Sequence, residues 1–212
     1  MRDVPELVDG YHRFLATRYS EDAALYRTLA ETGQAPKTMV IACCDSRVDP
    51  AAIFNAAPGQ LFIVRNVANL VPPFEPLGDY HGTSAALEFA VTGLEVETIL
   101  VMGHARCGGV QAFLEGLYEH SSKRTFISSW MSLLNAARTS ALRDTAEGAV
   151  QTQQQALEHE SVRQSLENLQ TFPFIKQRLA DDSLRLRGAY FDIADGRLLV
   201  LDPESRRFDP LD

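Results

Sequence analysis

Three short apolar runs stand out in an otherwise mixed chain: 38–42 (Thr-Met-Val-Ile-Ala), 61–64 (Leu-Phe-Ile-Val) and 98–102 (Thr-Ile-Leu-Val-Met). Runs this short and continuous read as strands buried on both faces of a sheet. Before the first run, Tyr11, Phe14 and Leu15, then Leu25 and Leu29, recur at spacings of three and four, and Ser20 precedes Glu21 and Asp22 as an N-cap would. That pattern predicts two helices broken near Ser20, ending at the punctuation of residues 33–36. Between the second and third runs, Gly82 and Thr83 open a stretch of helix formers over 85–94, so strand, helix and strand imply a right-handed parallel crossover. Residues 123–180, with Gly148 and Pro173 as interruptions, carry Phe126, Ile127, Trp130, Leu134 and Ala137, then Val162, Leu166 and Leu169, at helical spacing. The segments 184–193 and 197–202 flank Asp195-Gly196, a turn signal, and read as a closing hairpin.

The chain therefore reads as a single domain, 1–212, of the α/β class. A mainly parallel central β-sheet with an antiparallel C-terminal edge strand, flanked by helices, occupies 34–212, and an N-terminal helical arm occupies 1–33. In such sheets ligands bind beyond the carboxyl ends of the strands, where the strand order reverses. Cys43 ends the first predicted strand and His104 the third.

Composition narrows the function classes. The 212 residues are 45% hydrophobic, ordinary for a globular domain, and the net charge of -8 with pI near 5.1 excludes the basic surface that nucleic acid requires. No run approaches the roughly 20 apolar residues of a membrane span, and Arg2, Asp3 and Glu6 put charges where a secretory leader would be apolar. The expectation is a cytoplasmic protein with neither nucleic acid nor membrane as partner. The cysteines are Cys43, Cys44 and Cys107, too few and too badly spaced for a disulfide framework.

Cys43 with the His104-x-x-Cys107 pair supplies two thiolates and an imidazole, a donor set for Zn²⁺ that leaves a fourth position open. Cys107 precedes Gly108-Gly109 and a predicted helix start, whose amides favour a thiolate. The alternative is that both cysteines are small buried apolar residues. Two residues beyond Cys43, Asp45-Ser46-Arg47 offers a carboxylate and a guanidinium, either to orient a water at the metal or as a plain loop salt bridge. His81 stands near a predicted helix start, as a proton shuttle or a loop residue. His12, His120 and His159 read as solvated, and Cys44 as inert and buried.

The strings Cys43-Cys44-Asp45-Ser46-Arg47 and Gly103-His104-Ala105-Arg106-Cys107-Gly108-Gly109, with Phe62-Ile63-Val64-Arg65-Asn66-Val67-Ala68-Asn69, resemble the motifs of β-class carbonic anhydrases, in particular plant-type members. The resemblance implies reversible hydration of carbon dioxide to bicarbonate and a proton by a zinc-bound hydroxide. It implies one Zn²⁺ per chain on Cys43, His104 and Cys107, and a catalytic dyad of Asp45 and Arg47. It also implies a substrate pocket with Gln34, Phe62, Phe89 and Gly108, Phe89 standing where such enzymes often carry Tyr. A closed state in which Asp45 becomes the fourth zinc ligand and a homodimer or higher oligomer are further implications. A related hydrolase of CS₂ or COS, or a zinc-stabilised protein without turnover, would share the metal ligands.

Overall fold

The helical arm is continuous, not two separate helices. In the computed structural model, which describes residues 4–77, 81–118, 125–146 and 152–211, α1 (Pro5–Phe14) and α2 (Ser20–Thr32) are joined through a π-helical turn at Leu15–Tyr19. Ser20 has helical angles (φ -62°, ψ -42°) and the segment receives no side-chain cap. The wider turn absorbs the change of face that the polar triplet at Ser20 suggested as a break. Gly33, at φ 84°, ends the arm, a conformation that favours glycine.

The core follows as β1 (Thr38–Cys43), α3 (Pro50–Ile53), β2 (Leu61–Asn66), α4 (Gly82–Glu88), β3 (Thr98–His104) and α5 (Gly108–Leu114). Then come α6 (Thr125–Met131), α7 (Asn135–Ala146), α8 (Gln153–Leu169), α9 (Pro173–Ala180), β4 (Arg185–Asp192), β5 (Arg197–Leu201) and β6 (Phe208–Pro210). Residues 123–124 and 147–151 of the predicted helical region, and His120, lie outside the described residues. The sheet order is β2-β1-β3-β4-β5-β6. The first three pairings are parallel and the last two antiparallel. The predicted antiparallel hairpin is thus extended by a further edge strand, whose Pro210 is tolerated at the rim because no further strand needs its missing N–H.

Alternation within the buried strands sorts the core. Met39, Ile41, Ile99 and Val101 pack on one face with Leu87, Val91, Val162 and Phe172. Val40, Ala42, Met102 and Ala189 pack on the other with Ile53 and Phe54, where Leu61, Ile63, Leu100 and Leu198 remain partly exposed. A third cluster, containing Cys43, Cys107, Val110, Phe113, Met131 and Leu157, caps the carboxyl ends of the strands. No helix among the described residues is long and apolar enough to cross a membrane.

The helix α8 is polar in sequence yet buried along Ala156–Arg163. It can approach the sheet because two glycines face it: a Cβ on Gly103 would stand 2.7 Å from Val162 Cγ2, and one on Gly188 3.0 Å from Val162 Cγ1. Two of its serines bond to the residues that follow β2: Ser165 accepts from the Val71 N–H and donates to the Asn69 carbonyl, and Ser161 accepts from Asn69 Nδ2. His12 is exposed, as expected, but His159 is only 6% exposed. Its ring lies between Tyr190 and Phe208 at centroid distances of 4.5 and 4.4 Å.

Burial, aided by the nearby Arg163 charge, pushes His159 down to about 3. The unfolded chain therefore binds a proton below about pH 6.5 that the folded chain refuses, so stability is full above that pH and falls as pH drops toward the folded value. Between pH 7 and pH 5 this amounts to about 2 kcal/mol. Denaturant titrations at both pH values should show that His159→Phe removes this component of the acid sensitivity; an unchanged pH dependence would contradict it.

Candidate metal centre

The reversal of strand order lies at β1, whose neighbours are β2 on one side and β3 on the other. Cys43 is the last residue of β1 and His104 the last of β3. Cys107 is the N-cap of α5, reached from His104 through a tight turn in which Arg106 takes φ 56°. The turn folds the chain back on itself within three residues, so ligands from distant parts of the sequence converge. Gly109 is required here, since a Cβ would stand 2.9 Å from Val67 Cγ1. Gly108 has no such neighbour within 4 Å and leaves open space.

The ligand atoms of Cys43, His104 and Cys107 all lie within 4.8 Å of one another, and each residue is buried. The sulfurs are 3.9 Å apart and both thiols are free. His104 Nδ1 lies 2.9 Å from the Ala105 carbonyl. That contact assigns the proton to Nδ1 and leaves a lone pair on Nε2. Nε2 is buried without a hydrogen-bond partner, an orphan that a metal would satisfy.

The electrostatics point the same way. A hydrogen bond from the Cys107 thiol, opposed by burial and helped by His104 and the amides of Asp45 and Ala68, holds the Cys43 thiol well below its ordinary value. Its thiolate and burial in turn push the Cys107 thiol up. Two buried thiolates this close require a cation between them. The soft sulfurs and imidazole fit Zn²⁺, and three ligands leave a fourth position.

Beside this cluster Asp45 and Arg47 form a bidentate pair. Asp45 Oδ1 accepts from Arg47 Nε at 2.9 Å and from the Arg47 amide at 3.0 Å, and Oδ2 accepts from Arg47 Nη2 at 2.7 Å. These bonds hold the Asp45 carboxyl well below the usual carboxylate range. Arg47 Nη2 also donates to the Arg106 carbonyl, tying the loop after β1 to the loop after β3. From β2, Arg65 donates to the carbonyls of Cys43 and Asp45. These two bonds give Arg65 a structural task.

The other expected residues lie elsewhere. Phe62 is the register partner of Met39, whereas Asn66 is that of Cys43; four residues of strand place Phe62 about 13 Å from the metal end. Phe89 contacts Phe62 at a centroid distance of 5.8 Å and is half exposed. Gln34 is exposed in the connection from α2 to β1. These three therefore do not join Cys43 and Asp45 within one chain. Cys44 is exposed, not buried: with Cys43 turned into the cluster, the next side chain of an extended backbone points the opposite way. His81 is exposed and lines an open groove of about 1060 Å³ with Asn66, Thr83 and Trp130.

Glu158 is the residue that sequence reasoning missed. Only 3% exposed, it reaches the Cys107 backbone from α8. The local string Glu-His-Glu-Ser carries the polarity of a surface and gives no sign of this burial.

Comparison with known proteins agrees with the geometry. The profile of the carbonic anhydrase family matches residues 38–198. The chain is 42% identical over 190 residues, 88% of its length, to beta carbonic anhydrase 5, chloroplastic, of Arabidopsis thaliana, and it spans 62% of that relative. It superposes on the structure of the beta-carbonic anhydrase CcaA with a TM-score of 0.89 at 30% identity, covering 100% of this chain and 93% of that one. It also superposes on a tetrameric beta-carbonic anhydrase of Sordaria macrospora with a TM-score of 0.77 at 25% identity, covering 95% of this chain and 98% of that one.

Proposed function

The chain belongs to the carbonic anhydrase family, in its beta class, and from that premise we propose that it catalyses the reversible hydration of CO₂ to bicarbonate and a proton. The observation that carries the proposal is the buried Cys43, His104 and Cys107 cluster with the fixed Asp45–Arg47 pair beside it. A purely structural zinc site has no use for an oriented carboxylate next to a vacant ligand position.

When bound, Zn²⁺ supplies a Lewis acid that makes water nucleophilic near neutral pH. The rest falls to the protein. Cys43 and Cys107 would hold the ion as thiolates, and His104 would hold it through Nε2 with Nδ1 anchored on Ala105. Asp45, held by Arg47, would accept a hydrogen bond from the water and orient it toward the CO₂ carbon. Arg47 keeps Asp45 ionised and occupies both carboxylate oxygens, so that Asp45 would not itself become a ligand. Phe62 and Phe89 offer an apolar wall for an apolar substrate, with Gln34 and Gly108 at its margin.

The same reading includes a homodimer or higher oligomer in which this wall belongs to a neighbouring copy. Three features support it: the distance of Phe62 from Cys43 along the strands, the partly exposed apolar residues Leu61, Ile63, Leu100 and Leu198 on one sheet face, and an arm without a buried residue in α1 or α2. Sedimentation should show at least a dimer; an active monomer would refute completion between chains. The compartment proposed is the reducing cytoplasm, supported by three free thiols.

Stopped-flow mixing of CO₂ with the zinc-loaded protein and a pH indicator tests the activity. Proton release above the buffer rate that disappears with the metal is the expected result. A zinc-loaded oligomer without such release would refute the reading.

A further inference from the structure

Glu158 is a buried carboxylate whose partners are all neutral donors. Its Oε1 accepts from the Cys107 N–H at 2.8 Å and from Gln154 Nε2 at 2.9 Å, and its Oε2 accepts from the Tyr190 hydroxyl at 2.7 Å. Gln154 also donates to the Cys107 carbonyl at 3.3 Å. One turn of α8 thus holds both polar groups of a single backbone residue, and that residue is a metal ligand. For packing alone an apolar side chain would serve better, because burying a carboxylate is costly unless its acceptors are used.

The Cys107 N–H has no partner within its own segment. As the N-cap residue it precedes the first turn of α5, and the residue before it is in the left-handed region. Without Glu158 the amide would be buried and unsatisfied, and the turn from His104 would be free to relax away from Cys43. The sheet enforces the arrangement: Gly103, next to His104, is the glycine that lets Val162 and hence α8 come close.

We propose that Glu158 is a positioning residue for the metal centre, fixing the Cys107 peptide so that its sulfur faces Cys43 and His104 before an ion arrives. The inference rests on the zinc reading given above. It predicts that the acceptor at Glu158, more than its charge, determines metal affinity. Glu158→Gln keeps an amide oxygen for the Cys107 N–H while its NH₂ can donate to a rotated Tyr190 hydroxyl. Glu158→Met keeps the length and leaves the Cys107 N–H and the Tyr190 hydroxyl without their acceptor, while Gln154 keeps the Cys107 carbonyl.

The test measures zinc affinity by competition with a chromophoric chelator, and the thiolate-to-metal charge-transfer band of the Co²⁺ form, in the full-length protein. Glu158→Met should bind zinc about 10- to 100-fold more weakly with an altered Co²⁺ spectrum. Glu158→Gln should remain within about threefold of the parent with an unaltered spectrum, the order expected when the hydrogen bond survives. Should Glu158→Met fail to fold, Glu158→Met combined with Tyr190→Phe removes the stranded hydroxyl donor and should show the same weakened binding. Parent-like affinity in a folded Met variant would overturn the proposal. If the unsubstituted protein shows no thiolate charge transfer, the zinc reading itself falls.

Discussion

Cys107→Ser should yield a folded protein that retains no zinc and hydrates CO₂ no faster than buffer. The substitution suits the backbone. Cys107 is the N-cap of α5 in extended conformation and makes no capping bond, and serine is among the preferred residues there. The fold should therefore survive, while a soft thiolate is replaced by a hydroxyl that stays protonated and ligates zinc poorly. Zinc affinity should fall by more than about 100-fold, beyond the range that outer-shell substitutions produce. Metal analysis after dialysis against a mild chelator, paired with stopped-flow assays, checks both halves. The parent should lose and regain activity as zinc is removed and restored. Its melting temperature should drop in parallel, because an ion bound only by the folded chain stabilises it, by about 2.7 kcal/mol at a hundredfold excess over the dissociation constant. A zinc-loaded, fully active Cys107→Ser would remove the cluster from the mechanism.

How much of this was legible in the sequence depends on the range of the forces involved. Cys43 and His104 could be placed at strand ends because the buried runs before them are continuous and the topology of such sheets gathers strand ends at one side. Asp45 and Arg47 are two residues apart, so their pairing was readable as a local fact. Ser20 misled because its polar neighbours mimic a cap, while the backbone keeps helical angles and widens one turn earlier. β6 is a three-residue strand containing proline, and its existence depends on β5 alone. His159 and Glu158 were hidden for a different reason: α8 is buried by close contact with Gly103 and Gly188, and its polarity is answered by groups up to 97 residues away. No periodicity within the helix records partners at that distance. The separation of Phe62 from the metal ligands is likewise a property of the register, which motif order does not contain.

The second large effect concerns the Asp45–Arg47 pair, and here the metal should stay. Asp45→Asn should lower turnover by about 10²- to 10⁴-fold, the range for a positioned proton-accepting group, with zinc still at one per chain. Arg47→Ala should lower it by about 100-fold, as expected when a reacting group loses its alignment. The two losses arise from one device. Arg47 makes three hydrogen bonds to the Asp45 carboxylate, and two of them come from its side chain. Once the guanidinium is removed, the carboxylate, two residues from Cys43, is free to turn and compete for the fourth ligand position. The double variant Arg47→Ala/Asp45→Asn should then be no slower than Asp45→Asn alone, a strongly non-additive cycle. Replacing Asp45 in the Arg47→Ala background also removes the competing ligand, so metal spectra of the Co²⁺ form should differ between the Arg47→Ala single and the double variant. If the losses instead multiply, Arg47 acts independently of Asp45, and its bond to the Arg106 carbonyl, which ties the two ligand-bearing loops together, becomes the better account of its role.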